Sequence, residues 1–182
     1  KKTAHRSIYM IGNLQWYKSI GNIGIQETHY VTIAPDGGYV MVADADSLAN
    51  SLGQTDVWLI KTDSNGDTLW TRTIGGNKKD GGKTVEFTSD GGMIIAGITR
   101  SFGLINPNYY LVKTDSLGII EWQNTTYGSV YHDHAYRGIK TSDGGFAEFG
   151  FFRNSAGYMN FSLVKLGPNG GVTKDIGIDE FI

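Results

Sequence analysis

Short apolar stretches separated by glycine-rich polar turns run along most of the chain. The stretches are rich in β-branched and aromatic residues, which fit the pleated, half-buried surface of a sheet. In the middle of the chain, four strands are predicted at residues 83–88, 93–99, 108–114 and 119–125. Strands that match the third of these are predicted at residues 57–62 and 161–166. No window has the apolar spacing of an amphipathic helix, so the pattern predicts an all-β protein.

The strand pattern repeats at a nearly constant step. The tripeptide Asp-Gly-Gly occurs at residues 36–38, 90–92 and 143–145, at steps of 54 and 53 residues. Trp16, Trp70 and Trp122 are spaced by 54 and 52 residues. Lys-Thr-Asp occurs at residues 61–63 and 113–115, and Lys165 follows Lys113 by 52 residues. Because independent markers share one spacing, the chain contains tandem copies of a unit of about fifty residues.

Each copy is predicted to form four antiparallel strands, A to D, joined by tight turns. Glycines in the Asp-Gly-Gly and Ser-Asn-Gly sequences supply the positive φ angles that such turns need. Four antiparallel strands in a unit of this length are typical of a β-propeller blade. We therefore predict a single domain of β-propeller-like repeats. It comprises an N-terminal strand within residues 1–21, blades at 22–76, 77–128 and 129–177, and a tail at 178–182.

Three blades and a spare strand do not make a usual ring. The spare D strand is expected at residues 15–20, and the last D strand, at residues 172–176, lacks a tryptophan. Known propellers have about four blades or more, and open sheet edges promote aggregation. Three explanations stay open: a piece of a larger propeller, two chains that share about six blades, or an open arc covered by a partner.

Composition excludes several classes of function. The net charge is −2 and lysine and arginine are not clustered, so a nucleic-acid surface is not predicted. The absence of cysteine excludes disulfides, thiolate chemistry and cysteine-based zinc sites. No stretch is long and apolar enough to predict insertion into a membrane.

The repeats resemble a known type. The segments SDGGMIIAGITRSFG, YYLVKTDSLGIIEWQNTTYG and DVWLIKTDSNGDTLWTRTIGG are similar to tandem repeats of secreted and surface proteins of the Bacteroidetes and related prokaryotes. The resemblance covers residues 14–173. It implies an exported or cell-surface protein, and the final DIGIDEFI looks like the linker before a type IX secretion sorting domain. It supplies no catalytic residues.

Two candidate metal sites stand out. Asp63, Asn65 and Asp67 resemble a calcium loop, since calcium prefers closely spaced oxygen ligands. The equivalent turns keep the glycine and lose the acids, which favours a hairpin turn. His132 and His134 are two residues apart, so on a strand both imidazoles face one side. No adjacent third ligand completes that site. We therefore predict no bound cofactor, with calcium as the alternative.

The residue between the two histidines suggests a structural role. Asp133 falls at a repeat position that we assign to Asp80 and Glu27, so an acid is expected before strand A in every copy. The pair Asp44 and Asp46 would suit glycoside chemistry, but the favoured interpretation is a solvated loop edge. No catalytic residue is predicted.

The aromatic residues allow two interpretations. The repeated tryptophans are expected to pack between blades. A second set is expected in the core, with a sugar- or protein-binding surface as the alternative: Tyr109, Tyr110, Phe151, Phe152 and Tyr158.

The loops between strands B and C differ most between copies, at residues 47–55, 100–107 and 153–159. Loops on a rigid scaffold commonly carry binding sites. The candidate partner-binding residues are Ser47, Asn50, Arg100, Phe102, Asn106, Arg153 and Tyr158. The sequence thus predicts a non-enzymatic extracellular or cell-surface binding or scaffold module that contacts an unidentified protein or glycan through these loops. The alternatives are a carbohydrate-active enzyme or lyase on a propeller scaffold, and a structural subunit of a larger assembly, for which the partner is a second copy of the chain, in a homo-oligomer, or the remainder of a larger propeller.

Overall fold

The computed structural model describes residues 13–21, 24–46, 54–103, 106–125 and 131–171, and these residues form eleven strands and no helix. The strands are β1 (Gln26–Ile33), β2 (Tyr39–Ala45), β3 (Asp56–Thr62), β4 (Thr68–Ile74), β5 (Asp80–Phe87), β6 (Met93–Thr99), β7 (Asn108–Thr114), β8 (Ile120–Asn124), β9 (Asp133–Lys140), β10 (Phe146–Arg153) and β11 (Met159–Leu166).

The strands form three antiparallel sheets in which neighbours along the chain are paired. Sheet 1 has the order β1-β2-β3-β4, sheet 2 has β5-β6-β7-β8, and sheet 3 has β9-β10-β11. The all-β prediction is confirmed, and strands B and C of the middle copy have the predicted bounds. Within the described residues the sheets pack in chain order and do not close into a ring.

The Asp-Gly-Gly repeat forms the turn between the first two strands of each sheet. In sheet 2, Oδ1 of Asp90 accepts hydrogen bonds from Gly92 N at 3.0 Å and Thr88 Oγ1 at 2.5 Å. Lys113 Nζ lies 3.0 Å from Asp90 Oδ2. The hydrogen bonds from Thr88 and Lys113 hold the pKa of Asp90 well below its usual range. The lysine therefore stabilises the Asp-Gly-Gly turn by its contact with the aspartate, which explains why the two recur together in each repeat.

Each sheet is apolar on both faces. We call the face turned toward the next sheet in the chain the forward face, and the opposite one the backward face. Val42 and Leu59 on the forward face of sheet 1 share a buried cluster with Ile95 and Val112 of sheet 2. The forward face of sheet 2 is buried in the same way against sheet 3, in a cluster that contains Ala96, Leu111, Ala135 and Phe146.

The repeated tryptophans fasten the outer edge of the stack. Trp70 of β4 lies against Gly118 in the β7–β8 turn of the next sheet, where a Cβ atom would come within 2.9 Å of the indole. Trp122 of β8 makes the same contact with Gly170 of sheet 3. Packing of these tryptophans between consecutive repeats agrees with the sequence expectation.

Residues 13–21 take the place of the fourth strand of a preceding sheet. Trp16 lies against Gly66, as Trp70 does against Gly118, and Lys18 Nζ is 2.6 Å from Asp67 Oδ1. Ile20 packs on the backward face of sheet 1. The predicted strand at residues 15–20 is wrong in one respect: no strand is assigned there, because no described strand lies beside it to pair with it. The last predicted strand, at residues 172–176, lies outside the described residues.

The contribution of the tryptophan contact to stability can be measured separately from that of the left-handed backbone of the turn. Gly118 and Gly91 have φ angles of 76° and 84°, but only Gly118 faces an indole, whereas a Cβ at Gly91 would meet open space. We expect Gly91→Ala to lower the free energy of unfolding by about 1 kcal/mol through left-handed backbone strain. Gly118→Ala should lower it by a further ~1–3 kcal/mol through overpacking.

Urea denaturation of both variants measures the difference. Equal losses would show that Trp70 yields to the added methyl group and contributes little to the stacking of sheets 1 and 2.

Candidate functional site

The two ends of the sheets differ in their connections. At the turn end lie the Asp-Gly-Gly turns and the turns between the third and fourth strands. At the loop end lie the connections between the second and third strands and those between consecutive sheets. Most of the predicted partner-binding residues that the structure describes belong to the loop end, whereas Ser47 and Asn50 lie outside the described residues.

A buried aspartate organises the loop end between sheets 1 and 2. Asp80 Oδ1 accepts a hydrogen bond from Thr99 Oγ1 at 2.5 Å. Its Oδ2 accepts from Gly76 N at 2.7 Å and from Ser101 Oγ at 2.6 Å. One carboxylate thus holds the connection from sheet 1 and the loop that follows β6. A structural role for this acid was expected from the sequence.

The repeat alignment of that acid needs correction. Asp80 is paired with Thr99 and Asp133 with Phe152, and the matching position of sheet 1 is Gln26, paired with Ala45. Glu27, which the sequence alignment placed there, lies one residue further along β1. The acid is therefore not repeated in sheet 1, because the step between the first two copies is one residue longer than the alignment assumed.

Three cationic side chains surround an open groove beside this carboxylate. Lys78, Lys79 and Arg100 line it together with Gln54 and Asn77, and we call these five residues the cationic groove. Lys78 N donates to Ser101 Oγ at 2.9 Å, and Arg100 N donates to the Lys79 carbonyl at 2.9 Å. The backbone of the groove is therefore fixed, while its long side chains point to solvent.

The positive field of the groove reaches sheet 3. Burial lowers the pKa of His132 below its ordinary value of 6.5, and the charges of Arg153 and Arg100 lower it further. Two of the predicted partner-binding arginines therefore act on one imidazole. Burial also lowers the pKa of His134, whose ring is stacked on Phe151 with a centroid distance of 5.7 Å.

His132 and His134 point to the same side of the strand, as predicted, and both rings lie against Phe151. His132 lies 5.9 Å from the Phe151 ring, the ring that His134 also stacks on. Within the described residues, no group of three or more histidine, aspartate or glutamate side chains is placed to hold a metal ion.

The candidate calcium loop is used within its own turn. Asp63 Oδ1 accepts hydrogen bonds from Asn65 N and Asp67 N, both at 2.9 Å. Asp67 forms the ion pair with Lys18. These contacts give both acids a structural role, and calcium binding stays a prediction.

The two acids considered for glycoside chemistry have separate partners. Asp44 Oδ2 lies 2.9 Å from His29 Nε2 and 3.0 Å from Lys83 Nζ, and its Oδ1 accepts from Gly82 N at 2.8 Å. Asp46 Oδ1 instead accepts from Ile25 N at 2.7 Å. Asp44 thus joins sheet 1 to sheet 2, and Asp46 caps the entry to β1. The expected solvated loop edge does not describe Asp44, because Lys83 and Gly82 of the next sheet cover it.

The other loop candidates are part of the scaffold, with one exception. Phe102 packs on Tyr110 with ring centroids 5.8 Å apart, and the carbonyl of Asn106 accepts a hydrogen bond from Asn108 Nδ2 at 2.7 Å. Tyr158 is exposed at the base of a tight turn, where its backbone is hydrogen-bonded to Asn154.

The aromatic candidates divide between the core and one open surface. Tyr109 and Tyr110 are buried, as expected. Phe151 belongs to the forward face of sheet 3, where Phe149, Phe161 and Leu163 are exposed. We call the face formed by Phe149, Phe151, Phe161 and Leu163 the open face. This face was not predicted from the sequence, since the repeat step aligns Phe161 and Leu163 with buried residues of sheet 2.

A comparison of this chain with models of known protein families and with curated proteins finds no match. Among the residues that the structure describes, there is no helix long and apolar enough to span a membrane.

The electrostatic link across the loop end can be measured. We expect Arg100→Gln to raise the pKa of His132, because it removes a positive charge that disfavours the imidazolium. The pKa of His134 should not rise, because Arg100 is not among the groups that shift it and the charge of His132 lowers it. Titration of the two imidazoles by NMR gives both values. Equal shifts of the two histidines would indicate a change in packing, and no shift at His132 would contradict the arrangement of the loop end.

Proposed function

We propose that this protein is a non-enzymatic binding module in which a propeller-type arc of sheets presents the cationic groove to an anionic ligand. The ligand class is an acidic glycan, or a protein surface rich in carboxylates, sulfates or phosphates. The observation that carries the proposal is the gathering of Lys78, Lys79 and Arg100 around one open groove, in which none of the described lining residues is acidic.

The pairing state of the cations distinguishes this groove from the rest of the surface. At the turn end, Lys61, Lys113 and Lys165 each lie within 3.0 Å of a carboxylate oxygen. Among the residues that the structure describes, Lys78, Lys79 and Arg100 form no such ion pair. Their charges are therefore available to a ligand, whereas the turn-end lysines are used to hold turns.

The neutral members of the groove favour a glycan. The side-chain amides of Gln54 and Asn77 each offer both a donor and an acceptor, which suits sugar hydroxyl groups. Arg100 offers a planar fork for a carboxylate or sulfate. A ligand that combines hydroxyl groups with acidic groups uses every side chain of the groove, and an acidic polysaccharide has that chemistry.

The scaffold supports recognition because the groove is anchored from below. Asp80 accepts a hydrogen bond from Gly76 N on one side of the groove and from Ser101 Oγ on the other. A groove that is preorganised in this way loses less conformational entropy on binding. The stacking of sheets in chain order favours a propeller-type arc, and an exported location rests on the resemblance of the repeats.

A second candidate function, as a structural subunit of a larger assembly, is favoured by the open face. Phe161 and Leu163 occupy positions that are covered in the other sheets, and exposed apolar patches of this kind commonly mark interaction sites.

Binding to the groove is tested with a heparin oligosaccharide, an acidic peptide and neutral dextran as probes in titration calorimetry. We expect the protein to bind the heparin oligosaccharide and not the dextran, with an affinity that falls as salt is raised. Arg100→Gln and Lys79→Gln should each weaken binding by about tenfold, the effect of losing one charge-assisted hydrogen bond.

Lys140→Gln is the matched control, because Lys140 is exposed at the turn end and its loss changes the net charge equally. An equal loss of binding in this control would mean that the probe responds to net charge alone. Failure of both acidic probes to bind would refute the proposal, and binding of the peptide alone would assign the groove to a protein ligand.

A further inference from the structure

We propose that a second copy of this chain completes the stack of sheets, with residues 13–21 of each copy lying beside β11 as the fourth strand of sheet 3 in the other. The two copies then form one closed ring. The inference is independent of the ligand proposed for the cationic groove.

Among the residues that the structure describes, sheet 3 has no strand on the outer side of β11. In sheets 1 and 2, β4 and β8 lie beside β3 and β7, whereas the described residues place only β10 beside β11. The effect is visible at the repeated lysine: the side chain of Lys165 is 38% exposed, whereas Lys61 and Lys113 are 9% and 6% exposed. The edge of β11 therefore has the sequence of an inner strand and the exposure of an outer one.

No described residue covers the forward face of sheet 3 either. Phe161 and Leu163 are 89% and 77% exposed. The equivalent residues of sheet 2, Tyr109 and Leu111, are 1% and 0% exposed because sheet 3 covers them. The open face thus keeps the apolar side chains of a face that packs on another sheet.

The opposite end of the chain carries the missing complement. Residues 13–21 lie where a fourth strand belongs, yet no described strand pairs with them. Trp16 is exposed, whereas Trp70 and Trp122 are half-buried. Ile20 is half-buried, whereas Ile74, its equivalent in β4, is 2% exposed.

The backward face of sheet 1 is also less covered than its counterpart. Tyr39 and Met41 are half-buried, whereas the equivalent Met93 and Ile95 of sheet 2 are buried against sheet 1. When residues 13–21 of one copy lie beside β11 of the other, sheet 1 of the first copy is placed against sheet 3 of the second. Tyr39 and Met41 then face Phe161 and Leu163, and two incomplete surfaces cover each other.

The repeat fixes the register of this contact. Lys61 is paired with Trp70 and Lys113 with Trp122, so Lys165 is expected opposite Trp16. Trp58 is paired with Thr73 in sheet 1. The same step therefore places Ser162 of β11 opposite Ser19 of the second copy.

A second copy is favoured over closure within one chain by the number of sheets. Propellers close with about four to eight blades, so three sheets are too few for residues 13–21 to reach β11 of their own chain in a regular ring. Two copies supply about six, which lies within that range. The contact joins different surfaces on the two copies, and it closes when a two-fold axis repeats it.

The mass of the protein in solution is the first test, measured by light scattering on the full 182-residue chain. We expect a species of two copies, and a single copy for the variant with Phe161→Asp and Leu163→Asp. The matched control is Leu117→Asp with Ile119→Asp, two exposed apolar residues at the turn end of sheet 2, which should leave the mass of two copies. A wild-type chain of one copy, or an open-ended series of larger assemblies, would overturn the proposal.

The register is tested by a cross-link, which the absence of cysteine makes unambiguous. The variant with Ser19→Cys and Ser162→Cys should form disulfides between copies on mild oxidation, because directly opposite residues of paired strands meet the geometry of the bond. Each single variant should give no such product. Disulfide formation inside one chain, seen as loss of free thiols at the mass of one copy, would show that the chain closes on itself.

Discussion

Every sheet of this chain is apolar on both faces, and this one constraint accounts for most of the structure. A sheet of that kind is stable only when another sheet covers each face, because burying one large apolar side chain contributes about 1.5–3 kcal/mol. Sheet 2 meets the constraint completely, with Val112 packed toward sheet 1 and Leu111 toward sheet 3. Sheets 1 and 3 are each covered by sheet 2 on one face, so the apolar faces that still need a cover are at the two ends of the stack.

Stacking also determines where chemistry is possible. The turn end is occupied by ion pairs that repeat with the sheets, such as Lys113 with Asp90. The loop end has no such repeated ion pairs among the described residues, and two of its carboxylates are used to hold backbone segments. Asp80 holds two loops, and Asp44 holds Gly82 of the next sheet. Removing the acids from the surface while leaving Arg100 there produces a cationic groove on a chain whose net charge is −2.

Prediction from the sequence succeeded where a contact lies within one repeat. The bounds of β6 and β7 follow from short apolar runs rich in β-branched and aromatic residues between polar turns that contain glycine, and local chemistry decides both features. Contacts between repeats were harder. The partners of Asp44 lie on the next sheet, far along the chain, and no spacing rule reveals them. Glu27 was aligned with Asp80 because a single step was assumed, and one additional residue in the first copy moved the position to Gln26. The open face was overlooked for a related reason: Phe161 has the composition of a core residue, and only its neighbours determine whether it is covered.

The groove and the open ends are separable consequences of the same stack. The groove is built from the end of the loop before β3, the connection between sheets 1 and 2, and the loop after β6, none of which includes residues 13–21 or β11. Its geometry is held by Asp80, and the hydrogen bonds that Asp80 accepts from Thr99, Ser101 and Gly76 lie within this region. Completion of the proposed ring would therefore change how many grooves one particle presents, and not the affinity of each groove. The proposed assembly of two copies would present two grooves on one rigid body, so a long polyanion that reached both would bind more tightly than a short one through effective concentration alone.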